Sequence, residues 1–364
     1  MKIVNANYEL INEPSITKKI ERIARVCYKS EDNIADGTDI RMINSLIRNN
    51  HMAMLEHGSL AFAVDPSTYN LLKDAVDYIR TSIIEKQATD NNVAKEASNC
   101  YLRFTTSILS SLDKDNTTLR FIVSGNMRAW IDTLKILQKD SCVPPILCDA
   151  LVKYSNGIMD EFIGSGHVDD IYEYEPKEGA PFMAELITDF SILSKEERLI
   201  HEDISVLFTV DRGIALELVR HRECSFAQES TRYCNYSKDK HGNEITVISP
   251  TFFETRMGLS SNSLVYEEWK HACEVAESKY FKLLEYGATP EQARTVLPHS
   301  TKAELVVTAN LREWYHIFEL RACESTGNAH PQVKEVMIPL LKDLQTNGYD
   351  FVFGELKIKD NLYK

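Results

Sequence analysis

Apolar residues recur at helical spacing in several separate stretches of the chain. Ile16, Ile20, Ile23, Ala24 and Cys27 form one stripe, which predicts a helix over residues 16–28. Ile40, Ile43, Leu46 and Ile47 predict a second over 40–48, ended by Asn49 and Asn50. A third is predicted over 69–85. Val265, Trp269, Ala272, Ala276, Tyr280, Leu283 and Leu284 line one face of a long helix from Leu264 to Glu285, which Gly287 stops. Thr289-Pro290-Glu291-Gln292 restarts a helix with proline in its first turn, and Pro298 marks its end. A last helix is predicted over 333–344.

Strand patterns stand at Lys2–Leu10, Leu60–Val64, Ile204–Val210 and Ile245–Ile248. Asp211 is placed to cap a short helix over 213–219. Ser225 with Gln228, and Thr301 with Glu304, have capping-box spacing and predict two more helix starts. The second would open a helix carrying Asn310, Arg312, His316 and Arg321. On such a helix Asn310 and Arg321 would share one face, and Arg312 and His316 another. Segments 101–110 and 119–137 are elements whose type the pattern leaves open.

Length and composition bound the class. A chain of 364 residues, 43% hydrophobic and 26% charged, is expected to fold as about two globular domains. It has no run of about 18 apolar residues, so no membrane span is expected. The start, MKIVNANYEL, alternates instead of forming an apolar signal core, which points to a cytoplasmic protein. None of the eight cysteines forms a Cys-x-x-Cys pair, so free thiols and no metal site are expected. The net charge of −13 argues against a general nucleic-acid binder. Residues 149–200 carry twelve acidic against four basic side chains, which reads as a solvated face. No P-loop is present, and Gly164-Ser165-Gly166 has Asp169 where a dinucleotide fingerprint needs glycine.

Against this acidic background stands Arg220-His221-Arg222-Glu-Cys224-Ser-Phe-Ala227-Gln228-Glu-Ser230-Thr231-Arg232-Tyr233. Guanidinium groups make forked contacts to phosphates and planar carbonyl edges. A cationic island in an anionic chain therefore points to a planar, anionic small ligand. Arg-His-Arg, seven residues, Ser230, then Arg232-Tyr233 resembles the motif of the flavin-dependent thymidylate synthases. Three more segments are similar to that family in the same order: His51 with Leu55-Glu56-His57 running into a strand, Ala293-Arg294 to Leu297-Pro298, and Asn310-Leu311-Arg312 through His316 to Leu320-Arg321.

The resemblance implies an α/β (α+β) fold, a mostly antiparallel sheet with helices. It implies a core of residues 1–65 and 201–364, with 66–200 a mainly helical insertion of open role. It implies a homotetramer with active sites at subunit interfaces. The implied reaction converts dUMP to dTMP, with 5,10-methylenetetrahydrofolate as carbon donor and NADPH-reduced FAD as hydride source. Ser230, Thr231, Arg232 and Arg294 would hold the nucleotide phosphate and ribose, and Gln228 the uracil edge. Arg220 and Arg321 would lie against pyrimidine and flavin. Glu56, His221, Arg222, Asn310, Arg312 and His316 would contact FAD, and His51 would serve the folate and methylene transfer. The implied catalytic residues are thus His51, Ser230 and Arg321. No His–Asp partners mark Ser230 as a nucleophile, and Cys224 need not be one.

The chain departs from the family pattern at several positions. Ala227-Gln228 replaces Asn-Glu, Ala53 replaces a hydroxyl, and Glu217 replaces Gln, which is tolerable if an arginine pairs with it. Two other classes share parts of the pattern: a non-catalytic nucleotide sensor on the same fold, and an RNA-binding module, which the acidic total disfavours. Lastly, Asn126-Met-Arg128-Ala-Trp130 echoes Asn310-Leu-Arg312-Glu-Trp314. A degenerate repeat is one account; coincidence in helical composition is the simpler one.

Overall fold

The computed structural model describes residues 1–89, 102–110, 117–139, 145–163, 184–232, 234–238, 242–253 and 263–358. They form two compact units: Met1–Asn12, Ile23–Asp32 and Ile204–Lys364 in one, Glu13–Arg22 and Asn33–Asp203 in the other. Both are mixed helix and strand, and each is built on a four-stranded antiparallel sheet.

The strands are β1 (Lys2–Val4), β2 (Asn7–Leu10), β3 (Ser59–Val64), β4 (Arg103–Ser110), β5 (Thr117–Asn126), β6 (Ala184–Leu186), β7 (Asp203–Asp211), β8 (Ser225–Gln228), β9 (Thr246–Ile248) and β10 (Lys302–Asn310). The unit holding residue 204 onward has the order β2-β7-β10-β8, and the other has β4-β5-β3-β6. The expected strand Lys2–Leu10 is two strands: β1 pairs with β9 in parallel, while β2 pairs with β7 antiparallel.

The long amphipathic segments fold as their spacing predicts, with helices at Ile16–Tyr28, Thr38–Arg48, Pro66–Thr89, Leu264–Glu285 and Pro331–Thr346. Asn50 beyond the second has φ 55, a left-handed stop that asparagine tolerates. The open segment 119–137 is a strand running straight into the helix Met127–Lys139. The region 66–200 contains the expected helices and also β4, β5 and β6.

Both predicted capping boxes at 225 and 301 are corrected: these segments are strands. Ser225 to Gln228 pairs with Thr308 to Leu305, and nearly every side chain of β10 is buried. A segment buried on both faces, rich in Val and Thr, favours the sheet over the local cap signal. The helix therefore starts at Leu311, and Asn310 is its cap, accepting from the Glu313 N–H at 2.9 Å. Asn310 caps the start of this helix and Arg321 is its last residue, so the two stand at its opposite ends. The box at Thr289 is real, with Gln292 N–H donating to Thr289 Oγ1 at 3.3 Å and Thr289 N–H to Gln292 Oε1 at 2.9 Å.

The two sheets are built alike. β3 runs directly into Asp65 and β7 ends at Asp211, and each aspartate caps a helix: Asp65 accepts from Thr68 N–H at 3.0 Å and Asp211 from Ile214 N–H at 2.7 Å. β4 and β8 follow, each antiparallel to the strand leading into the next helix, β5 or β10. Those strands end at Asn126 and Asn310, whose side chains accept from Ala129 and Glu313 N–H, each at 2.9 Å. Four residues on, Trp130 and Trp314 are fully buried. Their indoles donate to carbonyls of the second residue of β3 and of β7, Leu60 at 3.4 Å and Ile204 at 3.0 Å. His57 and His201, both buried, stand two residues before β3 and β7. The Asn-x-Arg-x-Trp echo is therefore a structural repeat and not coincidence. The outer strands are exchanged. β2 precedes β3 in the chain yet pairs with β7, and β6 precedes β7 yet pairs with β3.

His201 makes an acid-sensitive lock in its unit. Its Nδ1 lies 2.7 Å from Ser124 Oγ and its Nε2 2.7 Å from Thr105 Oγ1. Burial, then the charge of Arg103, lowers its pKa to about 3. In the unfolded chain a histidine titrates near 6.5. Between those values the unfolded state binds the extra proton, so stability is full above pH 6.5 and falls as pH drops toward 3. His201→Gln is expected to flatten that acid-side loss in thermal unfolding at pH 7 and pH 4.5. Equal losses in parent and variant would contradict it.

Candidate active site

β7, the Arg212–Leu218 helix and β8 deliver the cationic motif. Asp211 fixes the helix start, and Val219 ends it, so Arg220, His221 and Arg222 lie in the turn before β8. Arg220 and Arg222 are exposed and His221 is buried. Neighbouring β10 aims the Leu311–Arg321 helix from its Asn310 cap. Arg312 and His316, four residues apart on that helix, are both exposed.

The end of that helix meets the end of the Arg212–Leu218 helix. Arg321 Nη1 lies 3.2 Å from Glu217 Oε2, and its Nε donates to His221 Nε2 at 3.2 Å. The carboxylate at 217 thus has the arginine partner its position requires. Because His221 Nε2 accepts, the proton of the neutral ring sits on Nδ1, which lies 3.8 Å from Glu313 Oε1. The His221 and His316 rings meet edge to face at 6.2 Å. Burial, then Arg321 and His316, lowers the His221 pKa to about 4, so the ring is uncharged at neutral pH. Burial raises Glu313. Arg321 is therefore oriented by one anionic and one neutral acceptor, and Arg312 lies 3.7 Å from Glu223.

Beyond the other end of β8 lies a second group. Arg294 Nη1 donates to Thr231 Oγ1 at 3.3 Å, and Arg232 N–H donates to Ser230 Oγ at 3.4 Å. Arg232 Nε pairs with Glu291 at 2.9 Å on the surface. Ser230 is half-buried, its N–H held by the Cys27 carbonyl at 3.0 Å, and Gln228 is half-buried on β8. Tyr233 lies outside the described residues.

Sequence reasoning missed the support beneath this group. Glu229 N–H donates to the Glu304 carbonyl at 2.8 Å, and Lys302 Nζ reaches Glu229 at 3.1 Å and Glu304 at 2.8 Å. Lys29 also pairs with Glu304. Burial works against the Lys302 charge, yet the two carboxylates outweigh it and raise its pKa. Two acidic residues around one lysine on a strand were the available signal, hidden by reading 301–304 as a cap. Cys224 is buried, which pushes its thiol up and away from the thiolate a nucleophile needs.

His51 and Glu56 belong to the other unit. His51 is exposed, just before a short 3-10 helix (Met52–His57), and Glu56 Oε1 accepts from Arg128 Nη1 at 2.8 Å. Among the described residues no helix is long and apolar enough to cross a membrane, and no group of three or more His, Cys, Asp or Glu is placed to hold a metal ion.

Residues 168–346 match the family described as thymidylate synthase complementing protein. The chain is 31% identical over 156 residues to the flavin-dependent thymidylate synthase of Pyrococcus furiosus, covering 42% of this chain and 59% of that protein. It is 31% identical over 159 residues to the flavin-dependent thymidylate synthase of Thermococcus kodakarensis, covering 43% and 60%. The chain thus spans about three fifths of the length of the curated relatives it matches. Among solved structures, a UMP/dUMP methylase, PolB, from Streptomyces cacaoi aligns over 95% of this chain and 93% of that one, at 15% identity and TM-score 0.36.

Proposed function

We propose, taking as premise that residues 168–346 belong to the flavin-dependent thymidylate synthase family, that this chain is a methyltransferase converting dUMP to dTMP. The carbon comes from 5,10-methylenetetrahydrofolate. Bound FAD, reduced by NADPH, supplies the hydride. The working form is a homotetramer with sites at subunit interfaces.

The observation that carries this reading is the coupling of Arg321 to Glu217 and to a neutral His221, beside exposed Arg220, Arg222 and Arg312. These donors suit the two ligands. A dinucleotide pyrophosphate takes forked cationic donors, which Arg222 and Arg312 supply, with Asn310 and His316 as further flavin-site residues of the same unit and Glu56 as one from the other. Methylation of uracil places negative charge on the ring. Arg321, fixed in direction by its two acceptors, is placed to stabilise that charge together with Arg220. His221, being uncharged, orients Arg321 without adding a competing cation.

Ser230, Thr231 and Arg294 hold the phosphate and ribose, and Gln228 pairs with the uracil edge as donor and acceptor. Arg232 joins them when a phosphate displaces Glu291. That exchange is cheap, since an exposed pair contributes about 0–1 kcal/mol. His51 serves the folate.

Incubating the purified chain with dUMP, methylenetetrahydrofolate, FAD and NADPH tests the reading. Formation of dTMP that requires all four is the expected result. No dTMP in the complete mixture would reject it.

A further inference from the structure

The two copies of the fold differ where the candidate site lies. Arg312 is 61% exposed, available to a ligand. At the matching position Arg128 is 28% exposed, with Nη1 2.8 Å from Glu56 and Nε 3.7 Å from Asp132. Asp132 stands where the other copy has His316, and buried Leu137 where it has Arg321. Ser225 faces Thr308 across its sheet as Arg103 faces Ser124. Five residues before Ser225 the sequence begins Arg220-His221-Arg222; five before Arg103 it begins Ser98-Asn99-Cys100. The copy containing β3 thus keeps an arginine at the Arg312 position but has Asp132 and Leu137 where the other has His316 and Arg321.

We infer that residues 66–200 belong to a second copy of the fold which has given up its own anion site, and that Arg128 now acts as a positioning residue for Glu56. The inference rests on the reading of Glu56 as a flavin-site residue. The same helix end that presents Arg312 to solvent turns Arg128 onto the Glu56 carboxylate. The 3-10 turn bearing Glu56 follows directly on His51, so this contact sets the direction of one site carboxylate. Asp132, partly exposed, is a second carboxylate near Arg128, its Oδ2 3.7 Å from Nε.

The test is FAD affinity of the full chain, read from the visible spectrum, for the parent, Arg128→Met, Arg128→Lys, Glu56→Gln and the double variant, with melting temperatures alongside. Arg128→Met is expected to weaken FAD binding about tenfold, the scale of a lost hydrogen bond to a charged group. Arg128→Lys should restore part of it, and Arg128→Met should have no added effect in the Glu56→Gln background. Unchanged affinity in Arg128→Met, or effects of Arg128→Met and Glu56→Gln that simply add, would overturn the inference. Arg222→Ala separates the two readings. If the parent binds FAD and Arg222→Ala weakens it while Arg128→Met does not, only the positioning role fails. If the parent does not bind FAD, both readings fail.

Discussion

Arg321→Ala is expected to lower kcat/KM for dUMP methylation about a hundredfold, the scale of removing one donor aimed at developing charge. Arg321 closes the Leu311–Arg321 helix, half-exposed, with Glu217 and His221 as its partners. Truncation returns the Glu217 carboxylate to water, and burial, the larger cause, still lowers the His221 pKa, so folding should be little changed. The loss should therefore appear mainly in kcat and not in the melting temperature. Arg321→Lys keeps a charge but cannot span both acceptors, and should recover only part of the rate. A fall below about threefold in Arg321→Ala would place the pyrimidine elsewhere.

Arg103→Met is expected to cost about 3 kcal/mol of stability, the low end of breaking a buried ion pair. Arg103 meets Asp203 through two bonds, 2.7 and 2.8 Å, and both side chains are largely buried. Burial works to raise the Asp203 pKa, and Arg103 outweighs it, leaving it below the ordinary carboxylate range. A carboxylate depressed in the folded state contributes stability that is present above its unfolded pKa and lost as pH falls through the folded one. The pair should thus stabilise the protein at neutral pH and fade below about pH 4. Lys19 also attracts Asp203 and softens the loss. Urea unfolding at pH 7 measures it. Asp203→Asn added to Arg103→Met should recover part of the stability, because no carboxylate is left without its arginine, although Lys19 loses its attraction to Asp203. Failure of that recovery would locate the cost in lost packing.

The sequence made the long amphipathic helices legible because their faces are set by residues three and four apart. Ile16–Tyr28 and Leu264–Glu285 fall where the spacing puts them. Segments 225–228 and 301–304 were misread for a physical reason. A capping box is a local signal, whereas β8 and β10 are fixed by each other, over about 80 residues of chain. The same error hid the Glu229–Lys302–Glu304 support and put Asn310 inside a helix that it actually caps. The cationic motif was legible as a motif. The state of its parts was not, because the neutrality of His221 depends on burial and on Arg321, which is 100 residues away. The repeat was visible only as five letters. The shared aspartate and asparagine caps and the matching indole bonds of Trp130 and Trp314 make it a structural repeat.

In the proposed function this chain holds a flavin beside a nucleotide. The most direct test is the visible absorption spectrum of the purified protein with FAD, followed after NADPH is added, with and without dUMP. A flavin spectrum that bleaches, and recovers in a dUMP-dependent way with methylenetetrahydrofolate, is the predicted result. A protein that stays colourless and takes up no FAD would contradict it, and nucleotide binding without flavin would make the chain a nucleotide sensor.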